Sequence, residues 1–127
     1  MPESHQFVQK FHAACVGAAR LESKYPKEKW YTLLDQLGAG FGVAPRMMVL
    51  HAVTRLSRIT AEEVAAHPGL SIAHWLVLAE LVPEPGEFRT AWIVRCEQMR
   101  FTAKMLRAEL ADGVAARDRL RAKDGGP

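Results

Sequence analysis

Between two proline-glycine breaks lies a segment that is apolar at almost every position: Ile72, Ala73, Trp75, Leu76, Val77, Leu78, Ala79 and Leu81. Pro68-Gly69 closes it off on one side and Val82-Pro83-Glu84-Pro85-Gly86 on the other. Ser71 stands where a helix N-cap belongs, so Ile72–Leu81 is expected to be a helix, and one apolar nearly all round has no face to give to water. It is therefore expected at the centre of the fold.

The flanking sequence carries the same period. Phe7, Val8, Phe11, Cys15, Ala18 and Leu21 recur at helical spacing from Ser4, which can cap this helix, to about Ser23. Pro26 suits the first turn of a second helix carrying Trp30, Leu33, Leu34 and Leu37, which Gly38 is expected to end. Gly38-Ala39-Gly40-Phe41-Gly42-Val43 then reads as a turn. Pro45 opens a third helix to about Leu56, with Met48, Ala52 and Leu56 on one stripe. Thr60-Ala61-Glu62-Glu63 is a capping box for a short fourth helix. A sixth helix from Glu87 is expected to bury Phe88, Ala91, Trp92 and Cys96 or Met99. A seventh from Thr102 carries Met105, Leu106, Leu110 and Val114. The fold class is thus all-α: a compact bundle of about seven helices with a helix-turn-helix unit. It forms a single helical domain over residues 1–122, with 123–127 as a disordered tail.

At 127 residues, 49% hydrophobic and 24% charged, the chain can bury one core without staples and is too apolar to be disordered. No apolar run reaches the roughly 20 residues a membrane span needs, and Met1–Gln6 lacks a signal-peptide layout. Cys15 and Cys96 sit inside helical apolar patterns and read as buried free thiols in a cytoplasmic setting, a disulfide between them being the alternative. The net charge of +3 is unevenly distributed. Residues 59–94 carry Arg89 alone against Glu62, Glu63, Glu80, Glu84 and Glu87, while the segments on either side are basic. Either one cationic face or a mixed, solvated surface would satisfy that layout.

Little in the chain points to catalysis. His5, His12, His51, His67 and His74 show no metal-ligand spacing, and no cofactor motif is present. Glu62 and Glu63, being adjacent on a helix, face different ways. Gly38-x-Gly40-x-Gly42 has neither the spacing nor the lysine of a phosphate loop. The informative stretch runs from Trp30 to Arg58: helix, glycine-bearing turn, helix. Helix-turn-helix DNA readers have this order, and Arg46, His51, Arg55 and Arg58 would then supply phosphate or base-edge contacts. Met47 and Met48 stand where such a reader often has polar residues. A non-catalytic DNA-binding module is the first expectation. The alternative is a helical adaptor that docks a protein partner, or a second copy of itself, through Phe41, Met47, Trp92 or Phe101.

The order of features also resembles a known one. It runs from Tyr25-Pro26 with Trp30, Leu33 and Leu34 to Gly40-Phe41-Gly42-Val43 with Arg46. Leu70-Ser71-Ile72-Ala73-His74-Trp75 with Leu78 follows, then Trp92, then Thr102 with Leu106 and Glu109. This resembles the helical N-terminal domain that precedes PD-(D/E)XK-type nuclease domains in a bacterial family of unassigned function. The Leu-Ser-x-x-His stretch is similar to the helix-turn-helix core of ParB-type partition proteins. The resemblance spans about Tyr25 to Leu110 and implies a DNA-associated module in a bacterial or mobile-element setting. Neither a nuclease domain nor a nucleotide-binding domain is expected within these 127 residues, so neither cleavage nor a nucleotide-gated clamp is implied.

Overall fold

A computed structural model describes residues 4–124, of which Asp124 only in its backbone. The described residues form seven α-helices and no strand: α1 (His5–Leu21), α2 (Lys27–Phe41), α3 (Arg46–Leu56), α4 (Ala61–Ala66), α5 (Ile72–Leu81), α6 (Glu87–Met99) and α7 (Ala103–Asp124). None of these helices is long and apolar enough to cross a membrane.

The polar starts expected from the sequence are in place. Ser4 Oγ accepts from the backbone N–H of Phe7 to begin α1. Thr60 and Glu63 form a reciprocal box at α4, which satisfies two of the donors a helix start leaves open. Ser71 forms the same box with His74 at α5. His74 there is a structural residue with both ring nitrogens engaged: Nδ1 accepts from the backbone N–H of Ser71 at 3.0 Å, and Nε2 donates to Phe101 O at 2.7 Å.

α3 packs on α1, α2 and α5, so the hub of the bundle is α3, and α5 lies between it and α7. The expectation that α5 would be central thus holds in part, with α3 sharing that place. Trp75, Val77, Leu78 and Ala79 are buried, but Ile72, Leu76 and Leu81 are only half-buried and Ala73 and Glu80 are exposed. From α1, Val8, Phe11, His12, Cys15 and Ala18 face inward. The indole of Trp30 locks α2 to that helix by donating to Ala18 O at 2.7 Å.

The glycine segment is the larger correction. α2 does not end at Gly38 but continues through Gly40 to Phe41, and only Gly42, in the left-handed region at φ 70°, leaves the helix. A glycine inside a helix costs about 1 kcal/mol relative to alanine, so packing must offset it. At Gly38 it does so through close approach: an added Cβ would lie 2.5 Å from Val43 O and 2.8 Å from the Val49 side chain. One turn later Phe41 joins Phe7 and Phe11 in edge-to-face contacts at 5.7 and 5.2 Å.

The inward face of α6 matches the expected one only in part, at Cys96. It buries Arg89, Ile93 and Cys96, while Ala91 and Met99 are exposed and Phe88 and Trp92 half-buried. On α7, Leu106 and Leu110 are buried, Val114 is half-buried and Met105 is exposed. Lys123 and Asp124, expected in the tail, continue α7, and 125–127 lie outside the described residues. Both cysteines are free and buried. Burial pushes the Cys15 thiol up to about 12, and burial with the nearby Glu97 charge pushes Cys96 up to about 11. Neither is a nucleophile at neutral pH.

Candidate docking groove on α1, α3 and α5

The four residues expected to contact DNA do not share one face. Arg46 leaves the start of α3 toward α2. There its Nε and Nη2 clamp both oxygens of Asp35 at 2.9 and 2.7 Å, and its guanidinium lies 5.0 Å from the Tyr31 ring centre. That hydrogen bond, with the positive charge, holds the Asp35 carboxyl below its ordinary value. His51 and Arg55 do share the outward face of α3, one turn apart, and Arg55 Nη1 donates to His51 Nδ1 at 2.6 Å. Arg55 also faces Glu80 of α5 at 3.8 Å. Glu80 is held more tightly by Arg107 of α7, whose hydrogen bond, with charges from Arg107 and Arg55, keeps the Glu80 carboxyl below its ordinary value.

Arg58 lies beyond the end of α3 and turns away, donating to Ala79 O near the end of α5 at 3.3 Å. Beside it lies a latch that the sequence reading missed. Arg89 is fully buried, donating to both Glu63 oxygens at 2.9 and 2.5 Å, to Val82 O at 3.0 Å and to Arg58 O at 3.1 Å. One guanidinium thereby fastens the α3 tail, the α4 start, the α5 terminus and α6. Burial works against ionisation of Glu63, but hydrogen bonds from Arg89 and the Thr60 backbone outweigh it, and its pKa falls below the ordinary value. The sequence did hold one signal for it: Arg89 is the lone cation of residues 59–94.

What the outward face of α3 does border is apolar. A groove of about 330 Å³ is lined by Phe7 and Phe11 of α1, Phe41 and Val43, Met48 and Ala52 of α3, and Ile72 and Leu76 of α5. Met48, Ala52 and Leu76 also line an adjoining cleft of about 310 Å³ that ends at His51, Arg55, Glu80 and Arg107. The two form one trough, greasy at the aromatic end and charged at the other. Met48, expected on the buried stripe of α3, is 57% exposed, as is Met47. Ala52 and Leu56 of that stripe are buried, but Met48 sits one turn nearer the helix start, over the trough.

A second cleft of about 700 Å³ runs between α1 and the link from α3 to α4. Its buried histidine, His12, is engaged through Nε2, which donates to Ile59 O at 2.7 Å. Of the other histidines, His67 caps the end of α4 and donates from Nδ1 to Glu97 at 2.6 Å. Among the described residues, no three His, Cys, Asp or Glu side chains gather as metal ligands. Compared with known proteins, the chain matches no family profile, no curated protein and no solved structure.

Proposed function

We propose that this chain is a non-catalytic helical adaptor that receives an apolar segment of a protein partner in the trough between α1, α3 and α5. The observation that carries this reading is Met48: a large apolar side chain, 57% exposed, over a groove floored by Phe7, Phe11 and Phe41. Methionine is unbranched and polarisable, so it shapes itself to a partner's side chains, and such residues recur at binding surfaces. The charge pattern supports the same reading. Asp35 and Glu80 occupy Arg46 and Arg55, so the cations of α3 do not form a continuous unpaired strip. Two buried free thiols fit a reducing, cytoplasmic setting.

DNA binding is the second reading, favoured by one observation: His51 and Arg55 lie together on the outward face of α3, with Arg107 beside them. One pair of variants separates the two. Met48→Glu places a charge over the groove, whereas Arg55→Ala removes a cation. Under the adaptor reading, proteins captured by the wild type are lost by Met48→Glu and retained by Arg55→Ala. A mobility shift with duplex DNA that fades as salt rises and weakens in Arg55→Ala would give the case to DNA.

A further inference from the structure

A different surface, sharing no residue with the trough, lies along α6 and the second half of α7. α7 buries Leu106 and Leu110, and beyond them only Gly113, Val114 and Arg117 are even half-buried. Yet the helix continues to Asp124, with Leu120 62% exposed. A helix end that buries so little gains little from the core, and its exposed apolar stripe is available to something else.

The stripe is also built up. Gly113 lets the Trp92 ring lie against the α7 backbone, since a Cβ there would fall 2.4 Å from the indole. A mid-helix glycine is otherwise unfavourable by about 1 kcal/mol. Phe88, Trp92, Ala116 and Leu120 form the apolar floor. Arginines stand over it: Arg117 lies 4.5 Å from the Phe88 ring centre, Arg95 lies 5.4 Å from the Trp92 ring centre, and Arg121 completes the lining. Arg117 also meets Asp118 at 3.3 Å, whereas Arg95 and Arg121 meet no carboxylate among the described side chains.

An apolar strip with unneutralised guanidinium groups calls for carboxylates interleaved with aliphatic side chains. We propose that the α6–α7 surface is a second docking site, for an acidic amphipathic helix of a protein partner. Carboxylates of that helix reach Arg95 and Arg121 while its leucine-type side chains rest on Leu120 and Ala116, beside the arginine-covered rings of Phe88 and Trp92. Single-stranded nucleic acid is disfavoured because Arg95 and Arg117 already lie over the aromatic rings, leaving no free stacking platform. A second copy of the chain is disfavoured too. A two-fold contact brings the same arginines of both copies together, in a chain whose net charge is already +3.

The test uses the full chain and three fluorescein-labelled probes: an amphipathic peptide of Glu, Leu and Ala, its Gln-for-Glu counterpart, and an oligothymidylate. Anisotropy reports binding. Indole emission reports the location, because Trp30 and Trp75 are buried and Trp92 is not. The acidic peptide should bind, perturb the indole emission and weaken with salt. Leu120→Glu should reduce its affinity about tenfold by removing apolar contact and adding a like charge. Arg121→Glu should also weaken it. Met48→Glu, in the trough, should leave it unchanged. Equal binding of the Gln peptide, competition by oligothymidylate, loss of binding in Met48→Glu, or no binding of the acidic peptide to the wild type would each overturn the proposal. Leu120 and Arg121 are exposed, so retention of the helical circular-dichroism signal in both variants separates lost binding from lost folding.

Discussion

Arg89 with Glu63 and Arg46 with Asp35 are the same pairing chemically: a guanidinium with both its Nε and an Nη on one carboxylate. They differ in where they sit. The side-chain exposures are 0% and 14% for the first pair and 47% and 48% for the second. In the latch, both ions have been taken largely out of water, and two further donors of Arg89 are answered by the carbonyls of Val82 and Arg58. On α3, water screens and competes at every atom of the pair. Bond lengths alone would rank the two as equals; burial makes one a structural joint and the other a surface contact.

That contrast is broken most directly at Arg89. Truncating it to alanine leaves Glu63 desolvated without its cation and strips the hydrogen bonds from two carbonyls. Arg89→Ala should therefore cost about 3–5 kcal/mol, read from urea unfolding midpoints. Arg89→Met, which fills the space without the charge, still strands Glu63 and should recover only part of the loss. If Arg89→Ala unfolds with the wild type, the latch contributes nothing and the joint between α4, α5 and α6 rests on apolar contacts alone.

The two pairs also mark what the sequence could and could not reveal. Helix starts were legible because a cap is a local pattern: Ser4, Thr60 with Glu63, and Ser71 each satisfy donors within three residues. The end of α2 was not, because Gly38 is kept helical by Val43 and Val49 pressing on it, a relation set by tertiary packing. Glu63 was half legible. Its role in the capping box is local, but Arg89 is 26 residues away, and nothing in the spacing links them. The face of α6 was legible at Cys96 but not at Arg89, because an arginine at a core position looks like a surface residue until its partners are known. At the candidate site, the start of α3 at Arg46 was legible, but the turn of Arg46 toward Asp35 and the pairing of Arg55 with Glu80 depend on how α2 and α5 pack. The trough beside them was not foreseen because Phe7, Met48 and Leu76 meet only when α1, α3 and α5 pack.

A gentler way to sharpen the comparison is acid. Glu63 has its pKa lowered in the folded chain, so the folded form binds its proton less readily than the unfolded form does. Its stabilising contribution is complete above the unfolded glutamate value, about 4.3, and is lost as pH falls through the folded value. The wild type should therefore lose stability on acidification across that window. Glu63→Gln, less stable at neutral pH, should lose less on the way down, so that the two unfolding curves converge. Parallel curves would show that the carboxylate is not what Arg89 holds.

The smallest effect is expected at the exposed pair. Arg46→Ala and Asp35→Asn should each leave the unfolding midpoint within the scatter of repeat measurements at moderate salt, because both charges remain hydrated with or without the partner. Asp35→Asn then serves a second purpose, since it frees the Arg46 cation at the start of α3 without disturbing the fold. A surface that binds DNA would register the freed charge: affinity should rise, and the dependence on salt should steepen by about 0.9 in slope for one added phosphate contact. An adaptor that works through Met48 and the trough should show no such gain, because Arg46 points toward α2 and does not line the groove. Unchanged stability with no salt-dependent DNA binding would leave α3 as one wall of a protein-docking groove. A steepened slope would make Asp35 an internal decoy for phosphate and restore α3 as a nucleic-acid surface.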